Sequence, residues 1–170
     1  GDADDLIKLR AASLTDEFDW LKSAQPKQNT LEGFLFPDTY RFSKNAGAIE
    51  IAAKMLNRFG SKTAEIRKAA LSSGRDFYQI VIMASILEKE IPPKDMPLAA
   101  GVLWQWLAIG MALQADATLV YDLGRPIKRS DTTELDSLYN TYKYRGLPPT
   151  PISNPGLAAL NAALYPQKSN

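Results

Sequence analysis

The sequence predicts an α+β fold that is mainly helical, with a small β component and a central buried helix. Residues 77–90 (FYQIVIMASILEKE) are apolar on nearly every side, which is typical of a helix at the centre of a domain. Most other segments space their apolar residues at helical intervals, but two runs, 31–42 and 113–121, have an extended character. A chain of 170 residues with 45% hydrophobic residues is large enough for one compact core.

The first 30 residues are predicted to be a flank rather than part of the main domain. Apolar residues recur at helical spacing over 4–23, and a polar linker follows up to residue 30. The next run, 31–42 (LEGFLFPDTYRF), is interrupted by Gly33 and predicts short extended pieces around a turn. We therefore divide the chain into an N-terminal helical flank and linker, residues 1–30, and a principal domain, residues 31–170.

The remaining elements follow from apolar spacing and from residues that begin or end helices. Asp76 is a suitable N-cap for the central helix, and Pro92 ends it. The segment 145–156 (RGLPPTPISNPG) holds four prolines and predicts an ordered irregular loop. Four further helices are predicted over residues 48–59, 63–71, 98–109 and 157–164.

The composition excludes several classes of function. The chain has no histidine and no cysteine, so a Ser–His–Asp triad, a Cys–His dyad, a histidine-based zinc site and an iron–sulfur cluster cannot form within it. The net charge of +1, with basic residues spread along the chain, does not provide the positive field that nucleic acid binding requires. We expect no metal, no cofactor and no nucleic acid partner.

The most informative motif is Glu88-Lys89-Glu90 at the end of the apolar helix. Residues two apart on a helix point about 200° away from each other, so the two glutamates cannot both face one cleft. A carboxyl group held against apolar neighbours keeps its proton more readily and can donate it to a leaving oxygen. The alternative is that both glutamates are exposed where the helix emerges, one of them paired with a lysine.

Two other clusters of polar residues are candidates for a binding groove. Gln114, Asp116 and Thr118 alternate along the predicted extended run, so they would project from one face, which could line a groove or could be a solvated surface. Asn140 and Tyr142 lie in a polar and aromatic cluster. Such a cluster suits the faces of sugars, and it equally suits a loop packed on the surface.

Four segments in collinear order resemble the YceG-like (MltG) family of endolytic murein transglycosylases, and together they cover nearly the whole chain from residue 31. The four segments are LEGFLFPDTY (31–40), MASILEKE (83–90), GMALQADATLVYDLG (110–124) and YNTYKYRGLPPTPISNPG (139–156). The resemblance implies a core like that of lysozymes and transglycosylases. It also implies cleavage of the β-1,4 bond between N-acetylmuramic acid and N-acetylglucosamine, which leaves a 1,6-anhydromuramyl end.

The resemblance also assigns roles to residues. It makes Glu90 the catalytic acid, with Glu88 in reserve. It implies that the substrate is bound by Gln114, Asp116, Thr118, Asn140 and Tyr142, with Gly146, Leu147 and Pro148 shaping the rim. One glutamate is enough for this chemistry, because the C6 hydroxyl of the muramyl residue attacks its own C1 and no water needs activation.

This sequence departs from the family pattern at three places. Ile91 stands where threonine or serine is usual, Ala117 where proline is usual in L-Q-x-D-P-T, and Trp104-Gln105-Trp106 where an Asn-Arg pair is usual. Two alternatives therefore stay open. The first is a non-catalytic domain that binds peptidoglycan or acts as a division scaffold, and the second is a lysozyme-like hydrolase with Asp116 as its second carboxylate.

The resemblance implies a bacterial protein that acts at the outer side of the cytoplasmic membrane. Its partners would be peptidoglycan glycan strands and, as further candidates, cell-wall synthases or the elongation or division machinery. Family members carry an N-terminal membrane-spanning helix and a LysM-like module. We expect both to be missing from this chain, so that membrane attachment would depend on an anchor outside it.

Overall fold

The structure is a computed structural model that describes residues 18–24 and 30–168, and these residues form helices joined by irregular segments. The helices are α1 (Asp19–Ala24), α2 (Ala48–Lys62), α3 (Ala64–Ser72), α4 (Phe77–Glu90), α5 (Met96–Ala108), α6 (Asp116–Leu123), α7 (Asp131–Glu134) and α8 (Leu157–Leu164). The sequence predictions of α2, α3, α4, α5 and α8 are confirmed to within a few residues at each end.

Helix α4 is the central helix that the sequence predicts. Its side chains are buried from Ile80 to Leu87 without interruption, and both α5 and α8 pack against it. The predicted N-cap is confirmed, since the Asp76 carboxylate accepts hydrogen bonds from the backbone N–H groups of Tyr78 (2.8 Å) and Gln79 (3.4 Å). The apolar sequence of α4 therefore places the Glu88-Lys89-Glu90 motif where the core meets solvent.

The predicted β component is wrong, because no residue of 18–24 or 30–168 lies in a strand. The first run, 31–42, is irregular and is held by a side chain instead of a neighbouring strand. Asn154 Oδ1 accepts hydrogen bonds from the N–H groups of Gly33 (2.9 Å) and Leu35 (3.0 Å). A side-chain amide can satisfy backbone donors as a strand would, but the sequence pattern does not reveal such a partner 119 residues away.

The second predicted extended run, 113–121, becomes helical at its centre. Helix α6 begins at Asp116, a residue type that is favourable in the first turn because its negative charge meets the positive end of the helix. As a result, Gln114, Asp116 and Thr118 do not share a face. The first two side chains are exposed and Thr118 is fully buried.

The described part of the N-terminal flank packs against the main domain. Phe18 and Leu21 are buried in the same core as α2 and α4, and the Trp20 ring stacks on Phe59 with centroids 5.3 Å apart. Most of the helix predicted over 4–23 and most of the predicted linker lie outside the described residues. The boundary between flank and domain at residue 30 stays a prediction.

The proline-rich segment 145–156 is the irregular loop that the sequence predicts, and it is attached to the centre of α4. The N–H of Ile152 donates to Ser85 Oγ at 3.0 Å, and the Ser153 hydroxyl donates to the Ser85 carbonyl at 3.0 Å. Ser85 is fully buried. A serine in an otherwise apolar helix thus supplies the hydrogen bonds that hold this loop over the core.

Gly33 provides a test of this packing. It has φ +92°, and a Cβ at this position would lie 2.5 Å from Pro151 Cγ and 2.8 Å from Val81 Cγ1. We expect Gly33→Ala to lower the free energy of unfolding by about 3 kcal/mol or more, measured by urea denaturation, because backbone strain and overpacking add. Gly74→Ala is the matched control. Gly74 has φ +68° and open space around it, so strain alone should cost about 1 kcal/mol. Equal losses for both variants would contradict this account of the packing.

Candidate active site

The last turn of α4 lies against the N-termini of two other helices. Glu90 Oε1 accepts a hydrogen bond from the N–H of Ala117, in the first turn of α6, at 2.6 Å. Glu88 Oε2 accepts one from the N–H of Gly156, the N-cap of α8, at 3.1 Å. The opposed directions predicted for the two glutamates are therefore found, and each carboxylate has its own helix N-terminus. Both side chains are exposed, as in the alternative that the sequence left open.

Two cavities meet at Glu90. The first, which we call the charged cavity, has a volume of about 400 Å³ and is lined by Lys89, Glu90, Asp116, Ala117, Val120, Tyr121 and Ile152. The second, the α5 groove, has a volume of about 500 Å³ and is lined by Ile86, Glu90, Ile91, Pro92, Asp95, Leu98, Ala99, Val102, Leu103, Trp106, Leu113, Gln114 and Ala115. Glu90 is the one residue that lines both, and Glu88 lines neither.

The segment that enters α6 is held in an unusual backbone conformation. Gln114 has φ +51°, in the left-handed region that non-glycine residues rarely adopt. Thr141 stabilises it from the facing loop. Its carbonyl accepts from the N–H of Gln114 and its Oγ1 accepts from the N–H of Ala115, both at 3.0 Å. Thr141 Oγ1 also lies 3.1 Å from the Thr118 hydroxyl. These buried bonds orient the start of α6, and with it the N–H that reaches Glu90.

Asp116 and Tyr142 form a polar pair beside Glu90. The Tyr142 hydroxyl donates a hydrogen bond to Asp116 Oδ1. Partial burial, the bond to Asp116 and the negative charges of Asp116 and Glu90 raise the pKa of Tyr142 to about 12. The phenol therefore keeps its proton at neutral pH and remains a hydrogen-bond donor near the catalytic candidate.

Other predicted substrate contacts are placed away from both cavities. The Asn140 side chain is fully buried, and its amide nitrogen donates to the carbonyls of residues 131, 132 and 135 at 3.2, 3.3 and 2.9 Å. Its oxygen accepts from the N–H groups of residues 142 and 143 at 3.2 and 3.3 Å. Thr118 is buried as well, Pro148 is buried, and Leu147 packs against the core. None of these residues, nor Gly146, lines the charged cavity or the α5 groove.

Tyr121 lines the charged cavity, and the charge of Glu32 acts on it. Burial raises the pKa of Tyr121, and the nearby charge of Glu32 raises it further. Burial also raises the pKa of Glu32 itself, while the positive charge of Lys89 opposes this shift. Asn154 donates to Glu32 Oε1 at 3.2 Å. Lys89 belongs to the Glu88-Lys89-Glu90 motif and Tyr121 to the polar and aromatic cluster of the sequence, so both carried a signal. Glu32 was missed, because its only signal was its place within the first segment of family resemblance.

The arrangement is suited to acid–base chemistry by a single carboxylate. Oε1 of Glu90 is occupied by the Ala117 N–H, and Oε2 has no hydrogen-bond partner within residues 18–24 and 30–168.

Residues 18–24 and 30–168 contain no group of three or more Asp or Glu side chains arranged to hold a metal ion. Nor does this part of the chain include a helix with the length and apolar character needed to cross a bilayer.

Comparisons with known proteins agree with one another. A model of the YceG-like family matches residues 4–170. The endolytic murein transglycosylase of Bacillus subtilis strain 168 is 35% identical over 147 residues, which are 84% of this chain and 41% of that protein. The one from Streptococcus pneumoniae strain D39 is 30% identical over 148 residues, which are 82% of this chain and 27% of that protein.

A solved structure shows the same fold over almost the full chain. The crystal structure of a yceG-like protein from Listeria monocytogenes superposes with a TM-score of 0.87 at 34% identity, covering 98% of this chain and 59% of that one. The chain thus spans less than half the length of the two transglycosylases it matches. The family match extends over nearly the whole of it, and the chain belongs to the YceG-like family.

Proposed function

We propose that this chain carries the active site of an endolytic murein transglycosylase, which cleaves the β-1,4 bond between N-acetylmuramic acid and N-acetylglucosamine within glycan strands. The main support is the position of Glu90, the carboxylate at the junction of the charged cavity and the α5 groove. A bond presented to Glu90 would have one flanking sugar on either side. The names of the similar proteins from Bacillus and Streptococcus support the same activity.

The reaction needs one group that donates a proton and then accepts one. Protonated Glu90 gives its proton to the glycosidic oxygen, and the bond from that oxygen to muramyl C1 breaks. The C6 hydroxyl oxygen of the same sugar bonds to C1, and its proton passes to Glu90. We assign both transfers to Oε2, because Oε1 accepts the Ala117 N–H. No water is consumed, and the product is the 1,6-anhydromuramyl end.

Neighbouring residues have supporting roles in this proposal. Gln114 and Asp116 line the clefts beside Glu90, and the Tyr142 hydroxyl, which stays protonated, donates to Asp116. We propose that these polar groups bind the sugar. Asn140, Thr141 and Thr118 would act indirectly, by holding the loops that carry those groups, because their side chains are buried. Gly146, Leu147 and Pro148 would likewise act through the shape of the loop.

A second candidate function has one observation in its favour. Asp116 lines the charged cavity together with Glu90, so two carboxylates are available there, as a lysozyme-like hydrolase requires. The Tyr142 hydroxyl already occupies one oxygen of Asp116, which makes this carboxylate a poorer nucleophile or base. We therefore favour transglycosylation. The product masses distinguish the two reactions, since hydrolysis adds one water.

The remaining features of the proposed function concern the whole protein. We propose that residues 31–170 are the catalytic domain and that the protein works on the extracytoplasmic side of the bacterial cytoplasmic membrane, attached by an anchor outside this chain. Peptidoglycan glycan strands are its substrate. Cell-wall synthases or the elongation or division machinery are its proposed protein partners. Cell-wall action in the similar transglycosylases supports this location.

The first prediction separates the two glutamates of the motif. Glu90→Gln should lower the release of anhydromuramyl products from purified sacculi by at least about 100-fold, because glutamine cannot exchange the proton. Glu88→Gln should keep activity within about threefold, since its amide oxygen can still accept the Gly156 N–H and Glu88 lines neither cavity. Thermal melts should show both variants folded. Loss of turnover in Glu88→Gln alone would reverse the assignment.

A second experiment tests the reaction type through Asp116. Asp116→Asn should retain measurable transglycosylation, because an amide oxygen can still accept the Tyr142 hydroxyl. Mass spectrometry of the digest should show anhydro products for both the wild type and Asp116→Asn. Products heavier by one water, disappearing in Asp116→Asn, would establish the hydrolase instead.

A third experiment isolates the hydrogen bond from Ala117 to Glu90. Ala117→Pro removes this N–H, and a proline is tolerated in the first turn of a helix, as Pro97 shows in α5. Without this bond Oε1 loses its backbone donor, so the Glu90 side chain is held less firmly where the two cavities meet. Proline is also the usual residue here in the family pattern, so the variant should stay active, with a rate of anhydromuramyl release about 3- to 10-fold lower, as expected for one lost hydrogen bond.

The control for that experiment keeps the donor. Ala117→Gly retains the backbone N–H and should keep the rate within about twofold of the wild type. The charged and polar side chains that line the two cavities with Glu90 are the same in both variants. Equal rates for the proline and glycine variants would show that this hydrogen bond does not position Glu90.

A further inference from the structure

The α5 groove has a chemical character different from that of the charged cavity. Its inner surface contains the buried side chains of Ile86, Leu113 and Ala115, and its flank is the side of α5 that carries Val102 and Trp106. Its polar side-chain groups are those of Glu90, Asp95 and Gln114, which are exposed, and the indole N–H of Trp106, which is half-buried. The groove therefore combines an apolar floor with polar groups at its open edge.

The α5 groove is continuous with the site of the proposed reaction. Glu90 lines both cavities, and the segment 113–115 that walls the groove runs directly into Asp116 and Ala117, which wall the charged cavity. If Glu90 acts on a bond inside a polymer, the α5 groove is the space next to Glu90 that is open to the polymer on one side of that bond. This step rests on the proposed function.

Core packing does not explain the position of Trp106. It is partly buried, but it does not belong to the residues packed against the two core clusters, whereas Trp104, two residues earlier, does. The Trp104 indole N–H donates to the carbonyl of Ala163 at 2.9 Å. The Trp106 indole N–H has no partner within the described part of the chain. Its ring and its donor are therefore both available to a ligand in the groove.

We propose that the α5 groove is a saccharide subsite, in which a pyranose ring next to the cleaved bond packs its C–H face against Trp106. A pyranose ring has apolar faces and carries its hydroxyl and acetamido groups around its edge. The apolar floor meets the face, and Gln114, Asp95 and the indole N–H meet the edge. Trp106 is then a specificity-determining residue for the glycan strand.

The polar edge of the groove argues against an apolar occupant. A lipid chain or the apolar face of a helix would cover Glu90, Asp95 and Gln114 without offering them hydrogen bonds. Covering unpaired polar and charged groups in this way is costly. A sugar replaces the water on these groups with its own hydroxyls, so a saccharide fits the whole surface of the groove better than a purely apolar partner.

The test measures binding apart from turnover. In the Glu90→Gln background, peptide-free oligosaccharides of alternating N-acetylglucosamine and N-acetylmuramic acid are titrated by calorimetry. Trp106→Leu keeps an apolar side chain but removes the aromatic ring and the N–H, and we expect it to raise Kd about 5- to 10-fold. Trp104→Phe is the control on the same helix. Trp104 lies outside the groove, so Kd should stay within about twofold.

Each outcome decides the proposal. An unchanged Kd in Trp106→Leu, or no measurable binding of peptide-free strands, overturns it. A dependence on Trp106 that appears only with peptide-bearing strands assigns the groove to the stem peptide and also overturns it. Failure of the proposed function would look different. In that case sacculi would yield no anhydromuramyl products with the wild type, while the effect of Trp106→Leu on glycan binding would persist.

Discussion

The site depends on how two carboxylates are stabilised at the C-terminal end of a buried helix. The end of α4 is the negative end of its dipole, which by itself disfavours Glu88 and Glu90 as anions. The structure compensates by bringing the N-termini of α6 and α8 to this point, one to each carboxylate. A helix N-terminus presents free N–H groups and a partial positive charge. Each glutamate therefore gains a hydrogen-bond donor and a favourable electrostatic interaction, neither of which the C-terminal end of α4 provides.

The need to bring two helix N-termini to the end of α4 explains why the loops that follow α4 are irregular and yet fixed by hydrogen bonds. The loop before α6 has a left-handed backbone conformation at Gln114, and buried hydrogen bonds to Thr141 stabilise this conformation. The loop before α8 is attached to Ser85 in the middle of α4. Hydrogen bonds from side-chain hydroxyls and amides therefore hold these loops, as the backbone hydrogen bonds of a sheet do in other proteins. They place the N-termini of α6 and α8 at the C-terminal end of α4.

The sequence predicts the helical frame well because that information is local. The apolar run of α4 and its Asp76 cap can be identified from neighbouring residues, and both are confirmed. The predicted strand at 113–121 was wrong because alternation over a few residues does not distinguish a strand from a short helix that begins at Asp116. Asn140 shows the same limit. Its polar side chain suggested a sugar contact, but its amide nitrogen donates to backbone carbonyls five to nine residues earlier. The sequence pattern does not predict these hydrogen bonds.

The three departures from the family pattern gain a physical meaning from their positions. Ile91 and Trp106 both line the α5 groove and Ala117 lines the charged cavity, so each departure places one residue beside Glu90, while Trp104 and Gln105 line neither cavity. Ala117 contributes through its backbone N–H, a donor that a proline at this position lacks. Ile91 makes the groove more apolar than the usual threonine or serine would, and Trp106 adds an aromatic ring to the same groove. If Glu90 is the catalytic acid, as proposed, the departures keep this carboxylate and change the surfaces that a substrate beside it would contact.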